Sequence, residues 1–551
     1  MNFCRLAISW FKRRLRSSQL FGIFGVLALL FCTKHMVYSQ TRPTKISFSS
    51  SGITGKQTAE SLHHYVLSNK SNLFITVLLN KTLSNYLQEL APGVSADSLA
   101  KVGNYQFSFY VDQKLIYQTN LLPGVPTPTQ QQTQLSWTKP LIDNAHEGAF
   151  WSQSAWNRFL YNGGDKALTE GNHVFKLELR PYVNLQKIKV GDIIAEGTLP
   201  LLVKRKPIIN INSISLSPVK PYDTFEISTE TFDREKVKLL KAYIDSTVFK
   251  HVTSIIVIKN NKLLIEEYFN GSARDSLHDV RSVGKSFAST LTGIAKNEGY
   301  IKTELQTLGE FFPLKSYKNY VPEKEKVSLQ ALLTMSSPID GDDDIATSLG
   351  NEENMYPTDN WLKFALDLPL NQDKYQGQWH YFTVGVMLLG NILNIKVPGG
   401  LDHYAEEKLF RPLGIRNYRW QYTPEHVVST AGGIEMNSLD FAKYGQLYKN
   451  EGNWGTRQII PQEWVRQTFT KHRAIPNRKN EYYGYLFWNK TYHSKNKDYE
   501  TFYCTGNGGN KIYIFKDQPL VIVITATAYG TAYAHTQADQ IVEQFLLPAL
   551  Y

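Results

Sequence analysis

The residues best suited to chemistry lie at Ser282-Val283-Gly284-Lys285, where a lysine follows a serine after two intervening residues. An amine held against a serine hydroxyl can activate it as a nucleophile, so this pair could carry out covalent acyl transfer. The same Ser-x-x-Lys spacing also begins at Ser9, Ser98, Ser136, Ser217 and Ser494. Spacing alone is therefore a weak signal, and the surrounding sequence has to select among the six.

The sequence around Ser282 predicts a buried helix. Apolar residues recur at helical spacing, at Val283, Phe287, Leu291 and Ile294. Ser282 then falls in the first turn, and Lys285 lies one turn later on the same face, so the two side chains can touch. The other five serines lie in the leader, near prolines, in polar sequence or just before a glycine, and none of them predicts such a helix.

The elements around this helix predict an α+β domain. Just upstream, two β-rich runs separated by three residues predict a hairpin, at Ser254–Ile258 and Lys262–Tyr268. A largely helical middle, two late strands and a C-terminal helix follow, at Leu329–Tyr448, Lys511–Phe515, Val521–Thr525 and Thr536–Leu547. Strands at both ends of a helical region predict an antiparallel sheet with helices segregated around it.

The N-terminal part of the chain has a different pattern. Over residues 41–205 apolar and polar residues alternate, as at Tyr105, Phe107 and Phe109, which predicts a β-sandwich-like accessory domain with a long loop at Pro123–Gln134. We find no catalytic constellation there and interpret it as a module that packs on or positions the second domain, with carbohydrate or partner binding as the alternative. Residues 206–234, with three prolines, predict a linker, and residues 235–551 form the second domain.

Charge and composition limit the partners. The 551 residues carry a formal charge of +11, but residues 1–40 hold six basic residues and no acid, which leaves 11 − 6 = +5 for the rest. Without a compact basic stripe we predict no nucleic-acid partner. Outside the leader the only cysteine is Cys504, and the 13 histidines are scattered, so we predict no disulfide, no metal and no cofactor.

Residues 1–40 predict a secretory signal. A basic segment ends at Arg16, and an apolar run extends from Leu20 to Cys32. This run is shorter than the roughly 20 residues that cross a bilayer, so we expect an exported protein, periplasmic or associated with the cell envelope. Membrane attachment would come only from an uncleaved leader, and the sequence does not decide whether the leader is removed.

Several segments of the second domain together match one known group of proteins. Beside Arg281–Ser286 they are Val327–Ser337, Trp379–Thr383 with Leu388–Gly390, Leu409–Ile415 and Ala431–Gly433. On these motifs the chain resembles the serine β-lactamase and penicillin-binding protein superfamily, in particular its class C-like branch, which also holds esterases, D-aminopeptidases and oligoamide hydrolases. The resemblance covers roughly residues 235 to 551 and implies a β-lactamase/transpeptidase-like domain. It does not cover the N-terminal 200 residues.

The resemblance implies roles for residues of two further motifs. The family's second motif is Tyr-x-Asn, and Tyr381 matches its first position whereas Thr383 replaces the asparagine. The third motif corresponds to the glycine-rich segment before Lys511, where a lysine or histidine is usual. Here that place is taken by Asn507, followed by Gly508, Gly509 and Asn510. By resemblance the backbone amide of Asn510 joins that of Ser282 as an oxyanion hole.

A serine hydrolase is the function that this reasoning favours. Ser282 attacks a carbonyl, and either neutral Lys285 or a Tyr381 phenolate takes its proton, a choice that the sequence leaves open. Because β-lactams and D-Ala-D-Ala stems carry a carboxylate, the loss of the cation at Asn507 favours a small ester or amide. Lys511 could partly restore that charge, which keeps a β-lactamase or D,D-peptidase as an alternative. The exact substrate and the oligomeric state are not readable.

Two interpretations of a different kind remain. The chain could be a non-catalytic peptidoglycan- or partner-binding protein on a hydrolase scaffold, although it retains Ser282, Lys285 and Tyr381 together. The acidic run Asp340–Asp344, with Glu352 and Glu353 after it, is typical of a solvated loop. The alternative is a loop at the rim of the site that selects amine-bearing substrates.

Overall fold

Two hydrophobic cores form in this chain, one from residues 46–203 and the other from residues 225–550. They belong to a computed structural model that describes residues 43–52, 61–121, 134–144, 151–345, 347–531 and 533–551. The leader predicted over residues 1–40, and all but the last residue of the loop predicted at Pro123–Gln134, lie outside the described residues. The division of the chain into domains stays a prediction.

Strands enclose most of the first core. They are β1 (Thr44–Ser49), β2 (Tyr65–Leu67), β3 (Leu73–Leu78), β4 (Gly103–Val111), β5 (Lys114–Asn120), β6 (Ser136–Ile142), β7 (Gly171–Asn184), β8 (Ile188–Val190) and β9 (Ala195–Val203). The helices are α1 (Leu83–Leu90), α2 (Ala96–Val102), α3 (Trp151–Phe159) and α4 (Asp165–Ala167), with a π-helical turn at Leu160–Gly164 between the last two. The alternating residues around Tyr105 lie in β4, where their apolar side chains are buried.

Strand β1 joins two parts of this β-structure. Its first residues, Thr44 and Lys45, pair in parallel with β9, whereas Ile46–Ser49 pair antiparallel with β3. The strand order is β5-β4-β7-β9-β1-β3-β6, with β2 beside β9 and β8 beside β7. Phe48 of β1 and Phe175 of β7 meet in the shared core with ring centroids 5.9 Å apart. A strand that passes from one sheet to another is one way to close a sandwich.

The second core is built on an antiparallel sheet. The strands of this half are β10 (Val252–Lys259), β11 (Lys262–Tyr268), β12 (His278–Asp279), β13 (Tyr418–Trp420), β14 (Ile434–Met436), β15 (Asn453–Trp454), β16 (Arg457–Gln458), β17 (Arg473–Ala474), β18 (Tyr482–Tyr483), β19 (Trp488–Ser494), β20 (Lys497–Gly506), β21 (Asn510–Phe515) and β22 (Leu520–Ala526). The main sheet has the order β11-β10-β22-β21-β20-β19-β18-β17, and β12-β14-β13 form a small separate sheet. The predicted hairpin is confirmed: Asn260 and Asn261 turn between β10 and β11 with φ of 50° and 61°.

Helices surround this sheet, which confirms the predicted α+β fold. They are α5 (Arg234–Asp245), α6 (Lys285–Asn297), α7 (Leu329–Leu333), α8 (Glu352–Met355), α9 (Trp361–Asp367), α10 (Gln372–Tyr375), α11 (Thr383–Lys396), α12 (Gly400–Ala405), α13 (Ser438–Lys449), α14 (Gln462–Thr468), α15 (Ala534–Gln540) and α16 (Leu547–Leu550). π-Helical turns follow α12 and α15 at Glu406–Phe410 and Ile541–Leu546. Short 3-10 turns lie at Ile211–Ser213, Arg281–Gly284, Leu308–Glu310, Leu314–Ser316 and Pro322–Lys326.

Helix α6, which follows Ser282, is packed on every face. The ring of Phe287 stacks on that of Tyr444 in α13, with centroids 3.9 Å apart. The hydroxyl of Thr290 lies 2.7 Å from each of the hydroxyls of Tyr444 and Tyr448. A Cβ at Gly293 would lie 2.3 Å from the indole of Trp464, so only glycine lets α14 approach. These contacts fix the helix, and with it the position of Ser282.

Among the described residues no single helix is long and apolar enough to cross a bilayer. One bent pair, Thr383–Lys396 with Gly400–Phe410, meets the length and composition criteria together, with 83° between its two parts.

Removing part of the α6 packing should cost stability. Leu291 is buried in the second core, so Leu291→Ala is expected to lower the free energy of unfolding by about 2–5 kcal/mol through lost burial and an unfilled cavity. Urea unfolding followed by circular dichroism measures this. Leu305→Ala is the matched control, since that side chain is 62% exposed and should change stability by less than about 0.5 kcal/mol. Equal effects of the two substitutions would contradict the packing described for α6.

Candidate active site

Ser282 and Lys285 meet at the start of α6. Ser282 lies in the 3-10 turn Arg281–Gly284, and Lys285 is the first residue of the helix. The Lys285 Nζ lies 2.7 Å from the Ser282 Oγ, and it also donates to the carbonyl oxygen of Ala431. Lys285 is only 2% exposed, whereas Ser282 is partly open to solvent. A buried amine therefore points at an accessible hydroxyl.

Two glycines allow the backbones around this pair to approach closely. A Cβ at Gly284 would lie 2.9 Å from the Cα of Gly432, and a Cβ at Gly432 would lie 2.4 Å from the carbonyl oxygen of Arg281. Gly432 has a φ of +145°, a backbone conformation that residues with a side chain rarely adopt. The approach brings the carbonyl of Ala431 to Lys285, so the segment Ala431–Gly433 belongs to the site.

Tyr381 is the third member of the group. Its ring centroid lies 5.2 Å from the Lys285 Nζ. Burial raises the pKa of the Tyr381 phenol, while Lys285 and a hydrogen bond with the Ser282 hydroxyl act in the opposite direction. Trp488 of β19 packs on the tyrosine with centroids 5.9 Å apart. The structure thus brings Ser282, Lys285 and Tyr381 together, and it adds an aromatic neighbour that the sequence did not indicate.

Asp343 is tied to the segment that carries Tyr381. Its carboxylate accepts hydrogen bonds from the amides of Thr383, at 2.7 Å, and of Glu352, at 2.8 Å. Its own amide donates to the carbonyl oxygen of Tyr381 at 2.8 Å. Burial and the nearby Glu352 raise the pKa of Asp343 to about 6, whereas Lys285 acts to lower it. The interpretation of a solvated loop is therefore wrong for Asp343, which joins α8 and α11 behind the tyrosine.

Thr383, which stands at the place of the family's asparagine, belongs to the same arrangement. Its amide is bound by Asp343, as described, and it begins helix α11. Its hydroxyl is fully buried beside that carboxylate, close enough to lower the pKa of Asp343 but without a well-oriented hydrogen bond to any described residue. The backbone amide of Thr383 therefore helps to fix the position of Tyr381 through Asp343.

The glycine-rich turn after β20 borders Ser282 from the other side. A Cβ at Gly506 would lie 1.9 Å from the carbonyl oxygen of Val280 and 3.0 Å from the amide nitrogen of Ser282. The backbone of Gly506, the last residue of β20, thus lies against the amide of Ser282. From the sequence Gly506 is only the first residue of the third-motif segment, and no separate role is predicted for it.

Asn507 and Asn510 hold the turn in shape. The Asn510 side chain donates to the carbonyl oxygen of Asn507 at 2.8 Å and accepts from the amide of Ala526 at 2.9 Å. The Asn507 side chain accepts from the amide of Gly530 at 2.8 Å. Both side chains are therefore used within the protein. The role predicted for the Asn510 amide in an oxyanion hole stays a prediction.

Gly508 and Gly509 shape the outer part of the same turn. They have φ of +93° and +91°, in the region that favours glycine. A Cβ at Gly508 would lie 2.7 Å from the ring of Tyr529, and one at Gly509 would lie 2.8 Å from the carbonyl oxygen of Ala534. The turn is thus packed on the start of α15.

Lys511 does not replace the missing cation of the third motif. It is 3% exposed and its ammonium donates to the carboxylate of Asp539. Burial lowers the pKa of Lys511, and Asp539 opposes that effect. The same carboxylate also binds Lys490 at 3.0 Å and the Tyr492 hydroxyl at 2.8 Å. The charge of Lys511 is therefore taken up inside the fold.

In the described part of the chain, no group of three or more His, Cys, Asp or Glu side chains is arranged to hold a metal ion.

Comparisons with known proteins address the second half of the chain. A family model described as Beta-lactamase matches residues 244–545, which is more than half of the sequence. No curated protein gives a sequence match.

Many solved structures are similar to this chain, and three of them are described here. A penicillin-binding protein homologue from Pyrococcus abyssi is 18% identical, over 57% of this chain and 78% of that one, with a TM-score of 0.45. A penicillin binding protein from Bacillus halodurans is 14% identical, over 56% and 99%, with a TM-score of 0.43. A D-stereospecific amidohydrolase from Streptomyces sp. is 16% identical, over 53% and 92%, with a TM-score of 0.42.

Gly506→Ala should displace Ser282 and lower the reactivity that we expect of its hydroxyl. The new methyl group cannot fit 1.9 Å from the Val280 carbonyl oxygen, so the turn and Ser282 must separate. We expect covalent labelling of Ser282 by a fluorophosphonate to slow at least tenfold, measured by intact mass on protein whose circular dichroism is unchanged. Gly93→Ala is the matched control, because a Cβ there meets nothing within 4 Å. Labelling of the Gly506 variant at the parent rate would show that the turn does not position the nucleophile.

Asp343 should make stability depend on pH. Its pKa of about 6 in the folded protein lies above the ordinary 3.8, so the folded state binds the proton more tightly than the unfolded chain. As the pH rises from about 4 to about 6, the free energy of unfolding of the parent should therefore fall by up to about 3 kcal/mol relative to that of Asp343→Asn. Urea unfolding at several pH values compares the two proteins. Asp344→Asn changes an exposed neighbour and should show the same pH dependence of the free energy of unfolding as the parent. The same pH dependence in Asp343→Asn would contradict the raised pKa of Asp343.

Proposed function

The chain belongs to the Beta-lactamase family, and from this membership and the geometry of Ser282 we propose that it is a serine hydrolase that cleaves a small ester or amide. One observation carries the proposal: the buried Lys285 Nζ lies 2.7 Å from the Ser282 Oγ, with Tyr381 beside both. A nucleophile, a base within hydrogen-bond reach and a group that orients the base are what nucleophilic catalysis requires.

The proposed reaction runs through an acyl-enzyme. The Ser282 Oγ attacks the carbonyl carbon, and its proton passes to the Lys285 amine or to a Tyr381 phenolate. The oxyanion of the tetrahedral intermediate is held by the Ser282 amide and an amide of the Gly506–Asn510 turn, of which Asn510 was the predicted one. The carbon–oxygen or carbon–nitrogen bond then breaks, and the leaving alcohol or amine takes up the proton. A water molecule hydrolyses the serine ester and releases the acid.

The mounting of Tyr381 supports its part in proton transfer. The carboxylate of Asp343 binds the amide of Thr383, and the Asp343 amide binds the carbonyl of Tyr381, so the tyrosine is held from behind. Its ring is also packed on Trp488. A phenol fixed in this way can transfer a proton without first having to be ordered.

A second candidate is favoured by the surroundings of the glycine-rich turn. The guanidinium of Arg281 lies 4.7 Å from the centroid of the Tyr529 ring, and that ring packs against Gly508. The Arg281 side chain is 49% exposed, and its Nε lies 3.2 Å from the Asp279 carboxylate. A cation thus stands near the place where the family's lysine or histidine is missing. This supports substrates that carry a carboxylate, as β-lactams and D-Ala-D-Ala peptides do.

Export is part of the same proposal and rests on the sequence of residues 1–40. A basic segment followed by a 13-residue apolar run is typical of a secretory signal. We accordingly propose that the hydrolase works in the periplasm or at the cell envelope, on a small-molecule or peptide substrate and without a cofactor.

Covalent labelling tests the proposal. The purified protein should gain the mass of one fluorophosphonate adduct, and Ser282→Ala should gain none. Lys285→Met should slow the labelling by about 10²- to 10⁴-fold, because the base is removed. Ser98→Ala is a matched control, since Ser98 has the same Ser-x-x-Lys spacing on an exposed helix.

A parallel incubation with a penicillin separates the two candidates. An adduct on Ser282 would favour carboxylate-bearing substrates, and labelling by the fluorophosphonate alone would favour simple esters and amides. A well-folded parent that reacts with neither reagent would overturn the enzyme proposal and favour a non-catalytic binding protein.

A further inference from the structure

We propose that the cleft between the two cores is a binding site for a neutral oligosaccharide. The cleft has a volume of about 990 Å³. Residues of the first core, among them Trp156 and Asn157 in α3, form one wall, and residues next to the second core, among them Tyr243 in α5 and Gln537 in α15, form the other. Ligand sites of this size are common where two domains meet.

One polar group in the wall has no partner of its own. Asn157 is only 6% exposed, and its Nδ2 makes no hydrogen bond to any described residue. A buried amide donor left unpaired costs about 1–3 kcal/mol in general, so such groups are normally bonded. Because Asn157 lines the cleft, a small rotation of its amide would present the Nδ2 to an acceptor oxygen of a bound ligand. Sugar hydroxyls and acetamido carbonyls are acceptors of this kind.

The charges of the wall argue for a neutral ligand. Arg205 Nη1 lies 2.6 Å from the Asp165 carboxylate, and the Glu170 carboxylate accepts from the amides of Arg205 and Lys206 at 2.7 and 3.0 Å. Acidic and basic residues also nearly balance around the cleft: they are Asp143, Asp165 and Glu170 against Lys166, Arg205, Lys206 and Lys250. The excess is one basic residue, so a strongly anionic or cationic ligand would find little opposite charge to bind it.

Aromatic side chains supply further contacts. Tyr161, in the π-helical turn after α3, is 66% exposed at the cleft, and Tyr243 faces it from the other side, half-buried. Such rings offer an apolar face next to a hydroxyl. A pyranose ring likewise combines apolar C–H faces with equatorial hydroxyls, so it matches this lining better than a purely apolar or a charged molecule does.

The cleft is connected to the proposed active site through α15. The carbonyl of Ala534, at the start of this helix, packs against Gly509 of the glycine-rich turn after β20. Gln537 and Gln540 of the same helix line the cleft. Six residues of helix span about 9 Å. A glycan held in the cleft would therefore lie along the same helix as the glycine-rich turn, and we expect its neighbouring groups to extend toward Ser282. The inference rests on the proposed function only for this last step, since binding itself does not need the nucleophile.

Isothermal titration calorimetry of the full-length protein tests the site, with the neutral probes N-acetylchitotetraose and cellotetraose. We expect saturable binding of at least one probe to the parent. Tyr161→Ala should raise its Kd about fivefold to tenfold, because an exposed aromatic contact is lost without harm to the fold. Asn157→Ala should weaken it at least as much. Tyr422→Ala, at an exposed tyrosine outside the cleft, is the matched control and should bind like the parent.

Several results would overturn the proposal. They are the absence of binding of both probes at 10 mM, equal Kd values for the parent and Tyr161→Ala, or saturable binding of a neutral tetrapeptide in place of the glycans. Ser282→Ala should bind the probe with the parent's Kd. Covalent labelling depends on Ser282 and glycan binding depends on the cleft. A negative result in one measurement therefore overturns only the corresponding proposal, either the hydrolase or the glycan site.

Discussion

The amine of Lys285 is the point on which the second half of the protein depends. It lies inside the fold between the Ser282 hydroxyl and the carbonyl of Ala431. A buried amine needs partners at hydrogen-bond distance, since burial without them is costly. Those partners can approach only because Gly284 and Gly432 have no side chains. The packing of α6 against α13 and α14 then serves one purpose, to hold this amine and its hydroxyl in one geometry.

The same constraint explains which residues could be predicted from the sequence. Local signals were sufficient for α6, for the β10–β11 hairpin and for the alternation in β4, because each depends on neighbours a few residues away. Tyr381 was found through a family motif. Asp343 was not, because its role depends on the Thr383 amide 40 residues later. The sequence of an acidic run does not reveal whether its carboxylates are solvated or hydrogen-bonded to a segment that carries a tyrosine.

Lys511 and Gly506 illustrate the same limit. In the sequence Lys511 is a cation close to the glycine-rich turn, and its ion pair with Asp539 connects residues 28 positions apart. Gly506 is one more glycine until its backbone is seen against Val280. In both cases tertiary contact, which carries no local pattern, decides whether a residue borders the site or supports the scaffold. The N-terminal half shows the converse, since its strands were predictable whereas the cleft beside α15 needs both cores.

The strand order of the main sheet has a further consequence, for the stage of synthesis at which the surroundings of Ser282 can form. Strand β10, which precedes Ser282 in the chain, pairs with β22, which is made more than 250 residues later, and the turn near Ser282 lies between β20 and β21. Such long-range pairing forms slowly and only when both partners are present. A nascent or truncated chain could thus contain Ser282, Lys285 and Tyr381 and still lack the strands and the turn that surround them. The arrangement around Ser282 is therefore complete only after the last strand of the sheet has been made and has paired with β10.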